Sequence, residues 1–127
     1  MNAFEIDIIL MASKVHEYKD ALDAVEGGDE SAKTKLAWYM LSGYGGADVD
    51  ADGAVALLEE RVKDRDAKAM WILGVCCEYG IGTEQDFERA QKLYGQSSGR
   101  GNEIGKNLLK NGELYEKGSG YLRIKRL

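Results

Sequence analysis

Apolar residues along this chain recur at spacings of three and four, the mark of helices that each bury one face. The clearest stretch is Ala69–Tyr94, AMWILGVCCEYGIGTEQDFERAQKLY, where Ala69 and Leu73 begin a buried stripe. Gly80 and Gly82 end that helix, because glycine tolerates the left-handed backbone a tight reversal needs. Asp86 then stands where its side-chain oxygen caps a second helix, whose apolar face is Ala90, Leu93 and Tyr94. The spacing predicts an antiparallel helical hairpin. Across the chain it predicts helices over 3–26 (with a break allowed near Ser13), 29–42, 51–64, 67–79, 87–97 and 103–117. One such hairpin cannot bury its apolar face alone and asks for stacked neighbours.

The neighbours are present in the sequence. Ala32, Leu36, Gly43 and Gly45 lie 37 residues before Ala69, Leu73, Gly80 and Gly82. After the turn the offset is 36, matching Asp50, Ala54, Leu57 and Leu58 to Asp86, Ala90, Leu93 and Tyr94. A partial third copy starts near Ile104, with Gly112, Tyr115, Gly118 and Gly120 lying 38 residues after Gly74, Cys77, Gly80 and Gly82. Ahead of the first copy, Tyr18–Glu26 reads as a lone second helix. A two-helix unit with a period near 36 signals an α-solenoid. The expected architecture is an all-α, right-handed α/α superhelical solenoid of antiparallel helix pairs in a single domain, residues 1–127. Its parts are a cap at about 1–28, repeats at about 29–65 and 66–101, and a partial repeat with a tail at about 102–127.

The pattern Ala-x3-Leu-Gly-x2-Tyr-x2-Gly-x-Gly-x3-Asp-x3-Ala resembles the Sel1-like repeat, a relative of the tetratricopeptide repeat. Ala69, Leu73, Gly74, Gly80, Gly82, Asp86 and Ala90 carry the resemblance, and the first copy differs chiefly in Ala37 for the packing glycine. Met40 and Cys77 replace the usual tyrosine. The resemblance implies a concave surface, lined by the first helix of each pair, on which relatives bind peptides or proteins. Positions off the buried stripe on those helices are Thr34, Trp38, Leu41 and Ser42, then Trp71, Val75, Glu78 and Tyr79, then Leu109, Glu113 and Glu116. The expected partner-binding set is Trp38, Leu41, Trp71, Val75, Glu78, Tyr79, Leu109 and Glu113. Two tryptophans on helices about 10 Å apart would grip one apolar side chain, with Glu78 and Glu113 selecting a basic neighbour. The competing reading has both tryptophans covered by the apolar segment Phe4–Val15. Cysteine-rich bacterial members of the family brace helix pairs with disulfides at spaced cysteines. The adjacent Cys76 and Cys77 lack that spacing, so neither an oxidising compartment nor that subgroup's penicillin binding carries over.

Composition and charge narrow the function further. The chain has 127 residues, 44% hydrophobic and 31% charged, which suits one globular domain. It has no proline and 16 glycines, the punctuation of helices joined by tight turns. The net charge is −5, but Met1–Glu30 carries −6 and Arg89–Leu127 carries +6. That dipole lacks the broad basic surface of a nucleic-acid binder. The N-terminal apolar run is short and holds Glu5 and Asp7, so neither a secretory signal nor a membrane span is expected, and a cytoplasmic location is. The end near Tyr121–Leu127 (YLRIKRL) offers apolar and basic residues for a fold-back cap or for self-association through the C-terminal end.

No catalytic constellation emerges. His16 has no partner at a diagnostic spacing, and Cys76 and Cys77 read as buried filler. Asp48, Asp50, Asp52 and Gly53, with Glu59 twelfth in line, mimic a calcium loop. The repeat nevertheless phases 54–60 as helix, and a capped turn is the preferred reading. The turns GYGG and GIG lack the lysine and hydroxyl of a phosphate loop. No cofactor and no metal are expected. The sequence therefore points to a non-enzymatic adaptor that binds a protein or peptide. The alternatives are an immunity-type inhibitor of one secreted protein and, from another class, a hydrolase like the penicillin-binding relatives.

Overall fold

The computed structural model describes residues 17–44 and 47–117, with side chains as far as Asn111. Among the described residues there are helices and no strands: α1 (17–26), α2 (Ala32–Ser42), α3 (Ala51–Lys63), α4 (Ala67–Tyr79), α5 (Phe87–Gly99) and α6 (Glu103–Lys117). The expected bounds of α4 and α6 are met, and α5 runs two residues further. The second helix starts three residues later than expected. Asp29 Oδ1 there accepts from the amide and the hydroxyl of Ser31, closing a turn first. Residues 3–16 of the first expected helix, His16, Gly45, Gly118, Gly120 and the YLRIKRL tail lie outside the described residues.

Each hairpin turn works as the sequence proposes. Gly43 and Gly80 take left-handed φ values of 74° and 68° at the ends of α2 and α4. Asp50 and Asp86 then cap α3 and α5, accepting from the amides of Gly53 at 2.9 Å and Arg89 at 3.0 Å. A second recurrence, between hairpins, is visible only in the structure. Gly28, Arg65 and Gly101 all have positive φ, 96°, 63° and 86°. The residue that follows each accepts a nearby amide: Asp66 and Asn102 take those of Ala69 and Gly105 in the first turn of the next helix, and Asp29 takes that of Ser31, just before α2. Arg65 is the one residue of the three that bears a side chain there.

Packing follows the repeat. Ala37, Ala54, Leu58, Ala69, Leu73, Ala90 and Tyr94 belong to one buried cluster spanning α2 to α5. A Cβ at Gly74 would stand 2.5 Å from Cε1 of Tyr94, so the aromatic ring lies directly on the glycine. The equivalent positions of the preceding hairpin are Ala37 and Leu58, both fully buried. The extra methyl on the inner helix goes with a smaller side chain on the outer one. A separate cluster joins α1 to α2 through Ala21, Leu36 and Tyr39. Gly82, at a positive φ of 67°, seats the second hairpin on the first: a Cβ there would strike the Ala51 carbonyl.

The backbone of α4 lies against those of both α2 and α6, while α3 and α5 make no comparable approach to each other. Outer helices splay and inner helices close up. The chain therefore curves, with α2, α4 and α6 along the inside. Among the described residues no helix is long and apolar enough to cross a membrane.

Candidate functional site

The inner face carries the two tryptophans. Trp38 on α2 is 40% exposed. Trp71 on α4 is half-buried against the main core. Their ring centroids are 6.1 Å apart with planes at 61°, an edge-to-face pair. The separation of about 10 Å expected from helix spacing thus belongs to the helix axes, and the rings reach across it. Beside the pair lies an apolar slot of ≈ 210 Å³ whose walls include Leu41, Val75 and Ile81. Four of the expected binding residues, Trp38, Leu41, Trp71 and Val75, meet there. The Trp71 Nε1–H is shut from solvent and has no hydrogen-bond partner among the described residues. Such an orphan costs about 1–3 kcal/mol, so packing rather than hydrogen bonding holds this ring.

Trp38 also lines a second, more polar depression with Glu17, Lys35, Tyr39, Tyr44 and Lys68. The Tyr39 hydroxyl donates to Glu17 Oε2 at 3.0 Å. Burial, and secondarily that carboxylate, push the Tyr39 phenol above its usual range. Sequence reasoning missed Ile81, Lys35 and Lys68. Ile81, 39% exposed, sits between two turn glycines whose spacing signals only a helix stop. An apolar residue inside an otherwise polar turn was the available signal. The lysines gave none, since solvated helix lysines are ordinary.

The remaining expected site residues fall elsewhere. Glu78 is corrected from surface to core: it is 5% exposed and accepts from the Tyr94 hydroxyl at 3.0 Å. The cause is Gly74, one turn earlier on the same face, which lets Tyr94 close onto α4. Thr34 is likewise buried, donating to Asp66 Oδ2 at 2.7 Å. Leu109 is half-buried and packs on the main core instead of facing outward. Tyr79 is exposed at the end of α4. Glu113 stands on α6, but its side chain, like that of Glu116, lies outside the described residues.

Other candidate chemistry resolves into structure. Residues Ala51–Lys63 are helical, Asp50 is the cap, and Glu59 Oε1 pairs with Arg89 Nη2 at 2.6 Å. The calcium-loop reading loses both its extended loop and its twelfth ligand. Among the described residues no group of three His, Cys, Asp or Glu is placed to hold a metal ion. Cys76 and Cys77 are both buried and unpaired. Burial pushes the Cys76 thiol up to about 11. It also raises that of Cys77, despite Arg89 Nη1 at 3.9 Å from the sulfur. The thiolate is the nucleophile, and both residues hold their protons at neutral pH.

Curved inner helices, splayed outer helices and a 36–37-residue period define an all-α solenoid of antiparallel helix pairs. Among solved structures, the chain is similar to a Sel1 repeat protein from Oxalobacter formigenes. Identity is 28%, with 72% of this chain and 68% of that one covered, at a TM-score of 0.64. It is similar in fold to c5321, a protective antigen present in uropathogenic Escherichia coli strains displaying an SLR fold. There identity is 23% and the TM-score 0.66, with 82% of this chain but 22% of c5321 covered. The chain carries the Sel1-like repeat fold. No family model and no curated protein matches the sequence.

Proposed function

We propose that this chain is a non-enzymatic interaction module that holds a protein or peptide partner on its inner face, with an apolar side chain of the partner in the slot beside Trp38 and Trp71. The aromatic pair carries the reading. Tryptophan dominates the central anchors of protein interfaces, and an edge-exposed pair next to Leu41, Val75 and Ile81 offers a water-excluding socket. Size supports a side chain over a small molecule, since ≈ 210 Å³ falls below the roughly 300–1,000 Å³ of ligand pockets. The buried, unpaired thiols of Cys76 and Cys77 suit the reducing cytoplasm we assign.

The test uses affinity purification from the native cell with wild-type chain and Trp38→Ala. Losing a central anchor costs about 2 kcal/mol or more, roughly thirtyfold in affinity. Trp38→Ala is therefore expected to release the partner while the thermal melt followed by circular dichroism keeps its midpoint within a few degrees. Trp38 is the informative position, because Trp71 also packs on the core. Equal capture by both proteins would remove Trp38 from the site.

A further inference from the structure

The lip of the slot carries positive charge, and we infer that the partner segment is acidic beside its apolar anchor. The inference rests on the slot being the binding face, and it reverses the basic preference that Glu78 and Glu113 implied in the sequence. Glu78 is withdrawn into the core by Tyr94. What flanks Trp38 instead is Lys35 from α2 and Lys68 from α4, on neighbouring inner helices, in the depression that shares Trp38 with the slot.

These two lysines differ from the cations that cross-brace the fold. Lys33 pairs with Glu30 and Glu60, Arg61 with Asp64 and Asp66, and Arg89 with Glu59. The side-chain ammonium groups of Lys35 and Lys68 have no hydrogen-bond or ion-pair partner among the described residues. The acid in the same depression, Glu17, accepts from the Tyr39 hydroxyl. Two free ammonium groups against one engaged carboxylate leave the lip net positive. Trp38 separates lip from slot by one ring. An extended peptide advances about 3.3–3.6 Å per residue, so an anchor in the slot sets an Asp or Glu one to about three residues away over the lysines. Exposed charges of this kind govern partner choice, register and association rate more than affinity. The occupant is an acidic–apolar segment of a second protein. The chain's own Phe4-Glu5-Ile6-Asp7, outside the described residues, has the same chemistry and is a competitor to be separated by experiment.

The probe is a random peptide library displayed on phage, panned against the full chain. It is panned in parallel against Trp38→Ala, against Lys35→Glu/Lys68→Glu and against Phe4→Ala/Ile6→Ala, each checked for an unchanged melt. The expected result on the wild type is enrichment of peptides with Asp or Glu within about three residues of an aromatic or aliphatic anchor. Their binding falls about thirtyfold in Trp38→Ala and weakens with added salt. On Lys35→Glu/Lys68→Glu the enriched charge turns to Lys and Arg. Peptides that need Trp38 but show no acidic preference, or ignore the charge reversal, overturn this inference and leave the slot standing. Peptides indifferent to Trp38→Ala overturn both. Enrichment only on Phe4→Ala/Ile6→Ala assigns the slot to the chain's own N-terminal residues and overturns a partner in trans. A concentration-dependent dimer mass in light scattering that Lys35→Glu/Lys68→Glu abolishes assigns the face to a second copy, with the same consequence. A library that enriches nothing on any of the proteins overturns the proposal outright.

Discussion

At the residue scale, one missing Cβ sets the fate of a charge. Gly74 admits the Tyr94 ring, the phenol oxygen then lies over the next turn, and Glu78 goes inside to meet it at 3.0 Å. Gly74 and Tyr94 were both legible as packing positions. Glu78 was not, because helical periodicity assigns a carboxylate to solvent unless a partner is known. Arg65 shows the reverse case, a side chain where the repeat elsewhere has none. Its φ of 63° costs an L-residue roughly 1–2 kcal/mol, while glycine adds about 0.5–1 kcal/mol of chain entropy to be lost on folding. Arg65→Gly is therefore expected to raise stability by up to about 1 kcal/mol, read as a higher urea midpoint at unchanged slope. A lowered midpoint would mean that the arginine side chain contributes more than its backbone costs.

At the element scale, α3 to α6 begin where an Asp or Asn side chain takes the first amides. Asp50 and Asp86 were readable from the repeat, whereas Asp29, Asp66 and Asn102 needed the structure to expose their shared turn. Asp66 does the most. Its Oδ1 accepts from Lys68 and Ala69, and its Oδ2 accepts from the Thr34 hydroxyl, with the Arg61 Nε at 3.5 Å. Burial alone would raise its pKa, but these hydrogen bonds and the nearby charge outweigh it, and the net shift is downward. A folded value below the unfolded one, about 3.9, gives stability that is complete above about pH 4 and lost as pH falls through the folded value. Asn caps as well as Asp and takes no proton. Asp66→Asn should therefore flatten the decline of stability between about pH 4 and pH 2 in chemical denaturation. Identical acid slopes for the two proteins would exclude Asp66 from the acid response.

At the scale of the molecule, a solenoid is stabilised repeat by repeat, and its middle is held from both sides. The main cluster draws on α2 to α5, whereas α1 is joined through the smaller set of Ala21, Leu36, Tyr39 and Ala47. Native-state hydrogen exchange should find the slowest amides in α4 and α5 and faster exchange in α1. Uniform protection across the described helices would indicate a single cooperative unit. Sequence by itself determined the hairpins, their glycine stops, the caps at Asp50 and Asp86 and the presence of tryptophan on the inner helices. Those features are local: they depend on residues three or four apart along one chain segment, and period repeats them. Only the tertiary structure decided that Trp38 and Trp71 touch, that Ile81 completes their slot, that Glu78 leaves the face and that Lys35 and Lys68 remain on it. Each of these turns on the distance between side chains of different helices. That distance is set by how closely Gly74 and Gly82 let neighbouring elements approach, which no periodicity along the chain encodes.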